Sequence, residues 1–83
     1  MTEIKLERYK YYYVNPGALC LAVGDDVVHI VSTGDIVCNI LSWEVPEGPM
    51  TPEEAHKRFP QYTAKGLKKL IEKRKKVDRW EVA

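Results

Sequence analysis

Residues 51–76 read TPEEAHKRFPQYTAKGLKKLIEKRKK and contain the start signals of two successive helices and the stop signal of the first. Thr51 is a typical N-cap residue, and Glu54 three positions later completes a capping box. Pro52 suits the first helical position because the N–H that proline lacks would have no partner within the helix there. Pro60 predicts the end of this first helix because proline disrupts a helix interior. The stretch therefore predicts a short capped helix, a turn and a second helix.

The second helix is predicted from Ala64 to about Lys76, with Thr63 as its N-cap. Its apolar residues recur at helical spacing. They are Ala64, Leu67, Leu70 and Ile71. Most of its other positions are basic, so the pattern predicts an amphipathic helix with one buried stripe and a positively charged opposite face.

The charge of the chain is divided unevenly between two segments. Between Lys57 and Arg79 there are ten basic and two acidic residues, a formal charge of +8, whereas the rest of the chain has three basic and ten acidic residues, a formal charge of −7. The net charge of +1 hides this separation. A concentrated basic segment on a nearly neutral protein is typical of a surface that binds a polyanion, most commonly nucleic acid.

Upstream of the helices, the sequence predicts a small antiparallel sheet. Three apolar, β-prone runs at 9–14, 18–23 and 27–31 are separated by turn-forming residues at 15–17 and 24–26. Short runs of this kind joined by tight turns are typical of hairpins. We therefore expect two or three strands in the N-terminal part of the chain.

Residues 35–43 predict a further helix, with a strand as the alternative. Polar residues at Asp35, Asn39 and Ser42 recur at helical spacing among apolar ones. The strand alternative rests on the isoleucine and valine content of this segment and on a turn signal at 33–35. The residues that follow, 44–50, contain two prolines and a glycine and are predicted to form a loop.

Length and composition predict one domain, 1–83, of the α+β class, with a β-rich part at 1–34 and a helix-turn-helix-like part at 35–83 that ends in a short strand at 79–82. No apolar run reaches the roughly 18–20 residues needed to span a bilayer. The charged start of the chain lacks the apolar core of a signal peptide, so a cytoplasmic location is expected. Abundant Glu and Lys with only three Asn and Gln residues favour a thermophilic source, and a viral origin also suits so short a chain.

The cysteine, tryptophan and tyrosine residues are expected mainly in the core. Cys20 and Cys38 lie in apolar stretches, so buried reduced thiols are predicted, with a disulfide between neighbouring elements as the alternative. Trp43 and Trp80 are predicted to lie in the core or at its edge. The tyrosines of the 9–13 run are predicted to be half-buried strand residues, with stacking on single-stranded bases as the alternative.

No pattern in the chain predicts catalysis. The sequence has no glycine-rich phosphate loop, no nucleophile beside an evident base and no close metal-ligand pair among its cysteines and histidines. We therefore expect no enzyme activity, no catalytic residue, no cofactor and no metal site.

Four segments between residues 40 and 82 follow one another as an apolar helix, a loop into a Thr-capped helix, a Leu-x-x-Leu helix and a strand. They are Ile40-Leu41, Gly48-Pro49-Met50-Thr51-Pro52-Glu53-Glu54, Thr63-Ala64-Lys65-Gly66-Leu67-Lys68-Lys69-Leu70 and Arg79-Trp80-Glu81-Val82. In this pattern the chain resembles the winged-helix superfamily. The resemblance implies a small sheet of two or three strands followed by a three-helix bundle with a short C-terminal strand. It also implies binding of double-stranded DNA and a role in transcription regulation, and, together with the small core of so short a chain, it predicts a homodimer.

The lysines of helix 63–76 are the candidate DNA contacts, because a helix fits the major groove and ammonium groups neutralise phosphates. The expected DNA-binding residues are Lys65, Lys68, Lys69, Lys73, Lys76 and Arg79. The first three are expected to approach the bases and the others to hold phosphates. Lysine reads bases less well than arginine, so modest sequence specificity is expected. A merely solvated basic face and an acidic protein partner are the alternatives for the same lysines.

The main alternative function is that of a peptide- or protein-binding adaptor. Strands followed by three helices are also similar to the leader-peptide recognition domains of peptide-modifying pathways, which bind an extended peptide along a sheet edge. A small viral protein that binds a host factor is a related possibility. Such binding would be largely insensitive to salt, whereas DNA binding weakens steeply as salt is raised.

Overall fold

The computed structural model describes the backbone of residues 5–15 and 17–82 and the side chains of 5–15 and 17–77. Its strands are β1 (Tyr11–Val14), β2 (Ala18–Ala22), β3 (Val27–Ile30), β4 (Ile36–Cys38) and β5 (Glu47–Met50). Its α-helices are α1 (Pro52–Arg58) and α2 (Ala64–Val82), and a short 3-10 turn spans Ile40–Ser42. The strands form one antiparallel sheet in the order β4-β3-β2-β1-β5.

The sheet has an apolar cluster on each of its two faces. Alternate strand residues point to opposite faces, so Tyr11 and Leu21 join the cluster under the helices while Tyr12 and Cys20 join the cluster on the other side. The buried members on the helical side are Tyr11, Leu19, Leu21, Met50, Ala55 and Leu67. Those on the other side are Leu6, Tyr12, Val14, Cys20, Ala22, Val28 and Ile40. Burial on both faces explains why β1 and β2 are continuous apolar runs.

The α+β class and the first three strands are confirmed, but the predicted architecture is wrong. The described residues form a five-stranded sheet and two α-helices, where two or three strands and a three-helix bundle were expected. The sheet gains its two extra strands from segments that were predicted to be a helix and a loop. It therefore spans most of the chain between residues 11 and 50.

The first correction concerns residues 35–43, where β4 and the 3-10 turn replace the predicted helix. Val37 pairs with Val28 on β3, and the Ile30 N–H donates to the Asp35 carbonyl at 2.8 Å. The unpaired edge of β3 offers these backbone groups partners, and the β-branched side chains of Ile36 and Val37 suit a strand. The strand alternative for this segment is therefore the correct one for 36–38.

The second correction concerns 44–50, where β5 pairs with β1 in place of the predicted loop. A proline is tolerated here because β5 is at the edge of the sheet, where one side needs no backbone donor. Gly48 has φ 151° and lies so close to β1 that a Cβ there would be 2.9 Å from the Tyr11 carbonyl oxygen. Glycine is thus what permits this strand pairing.

The third correction concerns the C-terminal segment 79–82, which continues α2 and is not a strand. Neither glycine nor proline follows Lys76, so the helix has no strong stop signal there. The start of α1 is as predicted: the Glu54 N–H donates to Thr51 Oγ1 at 3.2 Å, and the Thr51 N–H donates to Glu54 Oε1 at 3.1 Å. Helix α2 begins after Thr63, whose Oγ1 accepts from the Gly66 N–H at 3.0 Å.

Candidate functional site

Helix α2 packs against the sheet through its predicted apolar stripe. Leu67 is buried, and Leu70 and Ile71 are half-buried in the same cluster. The Tyr11 hydroxyl donates to the Leu67 carbonyl at 2.7 Å, which fixes the start of the helix over β1. Because this stripe faces the sheet, the opposite face of α2 points to solvent.

The turn between the two helices is also held by a specific contact. Nδ1 of His56 lies 2.6 Å from the Tyr62 carbonyl oxygen, and it must donate the proton because a carbonyl only accepts. Together with the two threonine caps, this bond sets the direction in which α2 leaves α1. The short α1 and the long α2 therefore keep the helix-turn-helix order, without the third helix that was expected.

The five predicted lysines within the described side chains all lie on the exposed part of α2. They are Lys65, Lys68, Lys69, Lys73 and Lys76. At about 100° per residue, Lys65, Lys69 and Lys76 fall within roughly 40° of one another and extend roughly 16 Å along the helix axis. Arg79 is in α2 as well, but its side chain lies outside the described residues. We call Lys65, Lys69, Lys73 and Lys76 the lysine face.

Lys68 differs from the lysine face because it has an acidic partner. Its Nζ lies 3.1 Å from Glu53 Oε2 on α1, and both side chains are largely exposed. Exposed ion pairs contribute little to stability, but this one lowers the positive charge available for a ligand at that turn. Lys68 was expected to approach the bases, and in this geometry it contacts the preceding helix.

Other basic residues are also held against the protein. Arg74 is half-buried. The pKa of His29 on β3 is lowered, first by the burial of His29 and second by the nearby positive charge of Arg74, so Arg74 lies on the side of α2 that faces the sheet. The Arg58 guanidinium lies 4.3 Å from the centre of the Tyr13 ring and forms an ion pair with Glu47 at 2.9 Å. These contacts depend on tertiary packing, so they could not be predicted from the basic run in the sequence.

The tyrosine run does not form a stacking platform. Tyr11 and Tyr12 are buried on opposite faces of the sheet, and the Tyr12 hydroxyl accepts from the Glu7 N–H at 2.8 Å. The Arg58 guanidinium covers the face of the Tyr13 ring, and the centres of the Tyr13 and Phe59 rings are 6.1 Å apart. The strand interpretation is therefore confirmed for Tyr11, Tyr12 and Tyr13, of which only Tyr13 is half-buried, whereas Tyr9 lies before β1 with a positive φ of 65°.

On the side of the sheet away from the helices lies an apolar groove. Residues 39–44 cross this face: the Leu41 N–H donates to Asp26 Oδ1 at 2.7 Å, and the Asn15 N–H donates to Glu44 Oε2 at 3.2 Å. The groove between this crossing segment and the strands has a volume of about 310 Å³. Its walls include Val14, Cys20, Val28, Ile30, Val37 and Ile40, together with Trp43 and Glu44.

The sequence predictions for two residues, Trp43 and Cys38, were wrong. Trp43 was predicted to lie in the core or at its edge, but it is 80% exposed; the side chain of Trp80, for which the same was predicted, lies outside the described residues. Cys20 is buried as predicted, whereas Cys38 is exposed on β4, and both are free thiols. Burial, with a further contribution from the Glu44 charge, raises the pKa of Cys20 to about 11, so this thiol stays protonated at neutral pH.

The two edges of the sheet differ in how they are protected. At one edge, β5 contains Pro49 and a shift in its pairing with β1, and the side chain of Glu47 is paired with Arg58. At the other edge, β4 is a short run of Ile36, Val37 and Cys38 with neither charge nor proline. Proline and irregular pairing discourage the addition of another strand, so β4 is the more open edge.

Comparison of the chain with family models, with curated proteins and with solved structures found no significant match. The resemblance to the winged-helix superfamily therefore stays a prediction. Within the described part of the chain, no three His, Cys, Asp or Glu side chains are grouped as a metal site would need. Among the same residues, no helix is both long and apolar enough to cross a membrane.

Proposed function

We propose that this protein binds double-stranded DNA through the exposed side of α2 and acts in transcription regulation, with a homodimer as the bound form. The observation that supports DNA binding is the lysine face, which carries four exposed ammonium groups on one side of a rigid helix. Among the described side chains, none of these four is in an ion pair. The regulatory role and the dimer rest on the winged-helix resemblance.

The spacing of the lysine face suits a phosphate backbone. B-DNA carries about one phosphate per 3.4 Å of axis on each strand, so roughly 16 Å of helix passes several phosphates. An α-helix also fits the major groove, which is about 12 Å wide. Each phosphate contact would release a condensed counterion, and this release is the main source of affinity in such complexes.

Sequence specificity is expected to be modest. A lysine ammonium lacks the planar fork with which arginine contacts guanine, and α2 carries neither Asn nor Gln to read adenine. Arg74 has such a guanidinium but faces the sheet, and the side chain of Arg79 lies outside the described residues. Phosphate contacts from the lysine face would therefore supply most of the affinity and little of the discrimination between sequences.

Fluorescence anisotropy of a labelled mixed-sequence duplex tests the proposal. With about five phosphate contacts, the Kd should weaken several-hundred-fold between about 50 mM and about 200 mM salt. Lys65→Glu combined with Lys69→Glu should abolish binding at the lower salt, because both changes reverse charge on the lysine face.

Lys5→Glu combined with Arg8→Glu is the matched control, since it changes the net charge equally at exposed positions outside α2. This control should bind within a few-fold of the unaltered protein. Equal losses of affinity for the duplex in the two double variants would show that the DNA is attracted by the charge of the protein in general and not by the lysine face. Absence of binding at the lower salt would leave the lysine face as a solvated surface.

The open β4 edge favours a second candidate, a peptide- or protein-binding adaptor. In an antiparallel pair, alternate residues of an edge strand form backbone hydrogen bonds with the neighbouring strand. Asp35 and Val37 face β3 in this way, opposite Ile30 and Val28. The N–H and carbonyl groups of Ile36 and Cys38 therefore face outward. An extended peptide that adds to this edge would bind through main-chain hydrogen bonds. Its affinity would change little between the two salt concentrations, so the same titration distinguishes the candidates.

A further inference from the structure

The groove on the helix-free face combines an apolar wall with one charge. Of the described residues that line it, Glu44 is the only one with an acidic or basic side chain. Its carboxylate is held at the groove by the Asn15 N–H. The field of this carboxylate extends into the groove, because it contributes, after burial, to the raised pKa of the Cys20 thiol in the groove wall. A cation placed in the groove would experience the same field with a favourable sign.

Trp43 adds a second feature suited to a cation. Its indole lines the groove and is 80% exposed, which is unusual for so large an apolar ring. The face of an indole attracts a cation within about 6 Å, and this attraction is strongest for tryptophan among the aromatic residues. An exposed indole beside a fixed carboxylate is a combination that favours an organic cation over a neutral or anionic molecule.

We propose that this groove binds a small organic monocation with an apolar body, such as an alkylammonium, with its charged group near Glu44 and Trp43. The apolar body would lie on the strand residues Val28, Ile30 and Val37. The groove volume of about 310 Å³ is at the lower end of the range for ligand pockets, which selects a small molecule. The site is on the face of the sheet opposite α2, so it does not depend on DNA binding.

Tryptophan fluorescence and calorimetry of the full chain test this site. Trp80→Phe leaves Trp43 as the sole tryptophan, and its emission is followed while decyltrimethylammonium is added below the concentration at which micelles form. Decanoate, with an alkyl chain of similar length and the opposite charge, is the matched probe. Saturable 1:1 binding of the cation is expected, with an affinity roughly tenfold higher than that of decanoate.

Three variants locate the binding. Glu44→Gln keeps an oxygen that accepts from the Asn15 N–H but removes the charge, so the preference for the cation over decanoate should fall roughly tenfold. Ala18→Phe places a ring in the groove and should abolish binding of both probes. Asp35→Asn removes an exposed carboxylate that does not line the groove and should leave the preference unchanged.

The proposal is overturned by any of three results in variants whose circular dichroism matches that of the unaltered protein. These are binding that does not saturate, equal affinity for the two probes, and an unchanged preference in Glu44→Gln. Loss of preference in Asp35→Asn to the same extent as in Glu44→Gln would show adsorption of the cation to the acidic surface in general, which also contradicts the proposal.

Discussion

At the scale of single residues, Tyr11 and Cys20 show how the sheet joins two cores. Tyr11 is fully buried under the helices, and its hydroxyl is bound to the Leu67 carbonyl at 2.7 Å. Burial raises the pKa of this phenol well above its usual value, so it remains a neutral donor. Cys20 lies on the other face of the neighbouring strand, where the thiol forms part of the groove wall. Each residue is therefore kept uncharged by its surroundings.

Cys20 predicts a loss of stability in alkaline solution. The folded-state pKa is raised from 9.0 to about 11, so the thiol is protonated in both states below pH 9 and its full contribution is present there. As the pH rises from about 9 to about 11, the unfolded chain releases a proton that the folded protein retains. Stability should then fall by on the order of 2 kcal/mol from this group.

Urea unfolding at several pH values measures this effect. Cys20→Ala removes the titrating thiol, so the free energy of unfolding of this variant should decline less steeply over the same pH interval. This comparison of slopes holds even if loss of the sulfur atom lowers the stability of the variant at neutral pH. The tyrosines contribute equally in both proteins and cancel in the comparison. Parallel curves for the two proteins would show that the Cys20 thiol does not titrate differently on folding.

At the scale of elements, β5 depends on a close approach to β1. A Cβ on Gly48 would be 2.8 Å from the Tyr12 ring and 2.9 Å from the Tyr11 carbonyl oxygen, and the residue has a positive φ of 151°. The backbone contact cannot be relieved by rotating a side chain. Glycine at this position therefore allows the strand that leads directly into the capping box of α1.

Gly48→Ala is expected to lower the free energy of unfolding by about 2–4 kcal/mol, since it adds both a clash and backbone strain. Gly34→Ala is the matched comparison: its φ is 80°, but nothing lies within 4 Å of an added Cβ, so only strain of about 1–2 kcal/mol is expected. Urea unfolding of both variants checks this difference. Equal losses in the two variants would mean that the close approach to β1 has no energetic consequence.

At the scale of the whole molecule, charge and apolar surface are separated. The lysine face lies on one side of the sheet, and the groove with Glu44 lies on the other. The lysines of α2 repel one another, and the ion pairs Lys68–Glu53 and Arg58–Glu47 are exposed and contribute little in return. The free protein therefore carries an electrostatic cost that a bound polyanion would remove.

Salt should consequently have opposite effects on stability and on the proposed DNA binding. Raising NaCl from about 20 mM to about 200 mM screens the repulsion within α2, and a gain of about 0.5 kcal/mol would raise the Tm by roughly 2–4 °C. Thermal unfolding followed by circular dichroism measures the change. Lys65→Glu combined with Lys69→Glu should show a smaller rise, and a Tm that falls with salt would show that attractive ion pairs dominate.

Prediction from the sequence succeeded where the signal lies within a few neighbouring residues. The capping box at Thr51, the cap at Thr63 and the apolar stripe through Leu67 are local patterns, and they gave the starts of both helices and the exposed lysine face. It failed at Trp43 and Cys38, because the exposure of these residues depends on how distant segments cross the sheet. The groove lacked a sequence pattern for the same reason.

The sequence by itself determined the first three strands, the beginnings of α1 and α2 and the division of charge along the chain. Only the tertiary structure decided that 36–38 and 47–50 become strands, because each needs an unpaired edge supplied by residues far along the chain, β3 in one case and β1 in the other. Helix caps form hydrogen bonds within one turn, whereas sheet hydrogen bonds join separate segments. Local residues therefore specify where a helix begins, but the choice between helix, loop and edge strand depends on the partner that folding brings alongside.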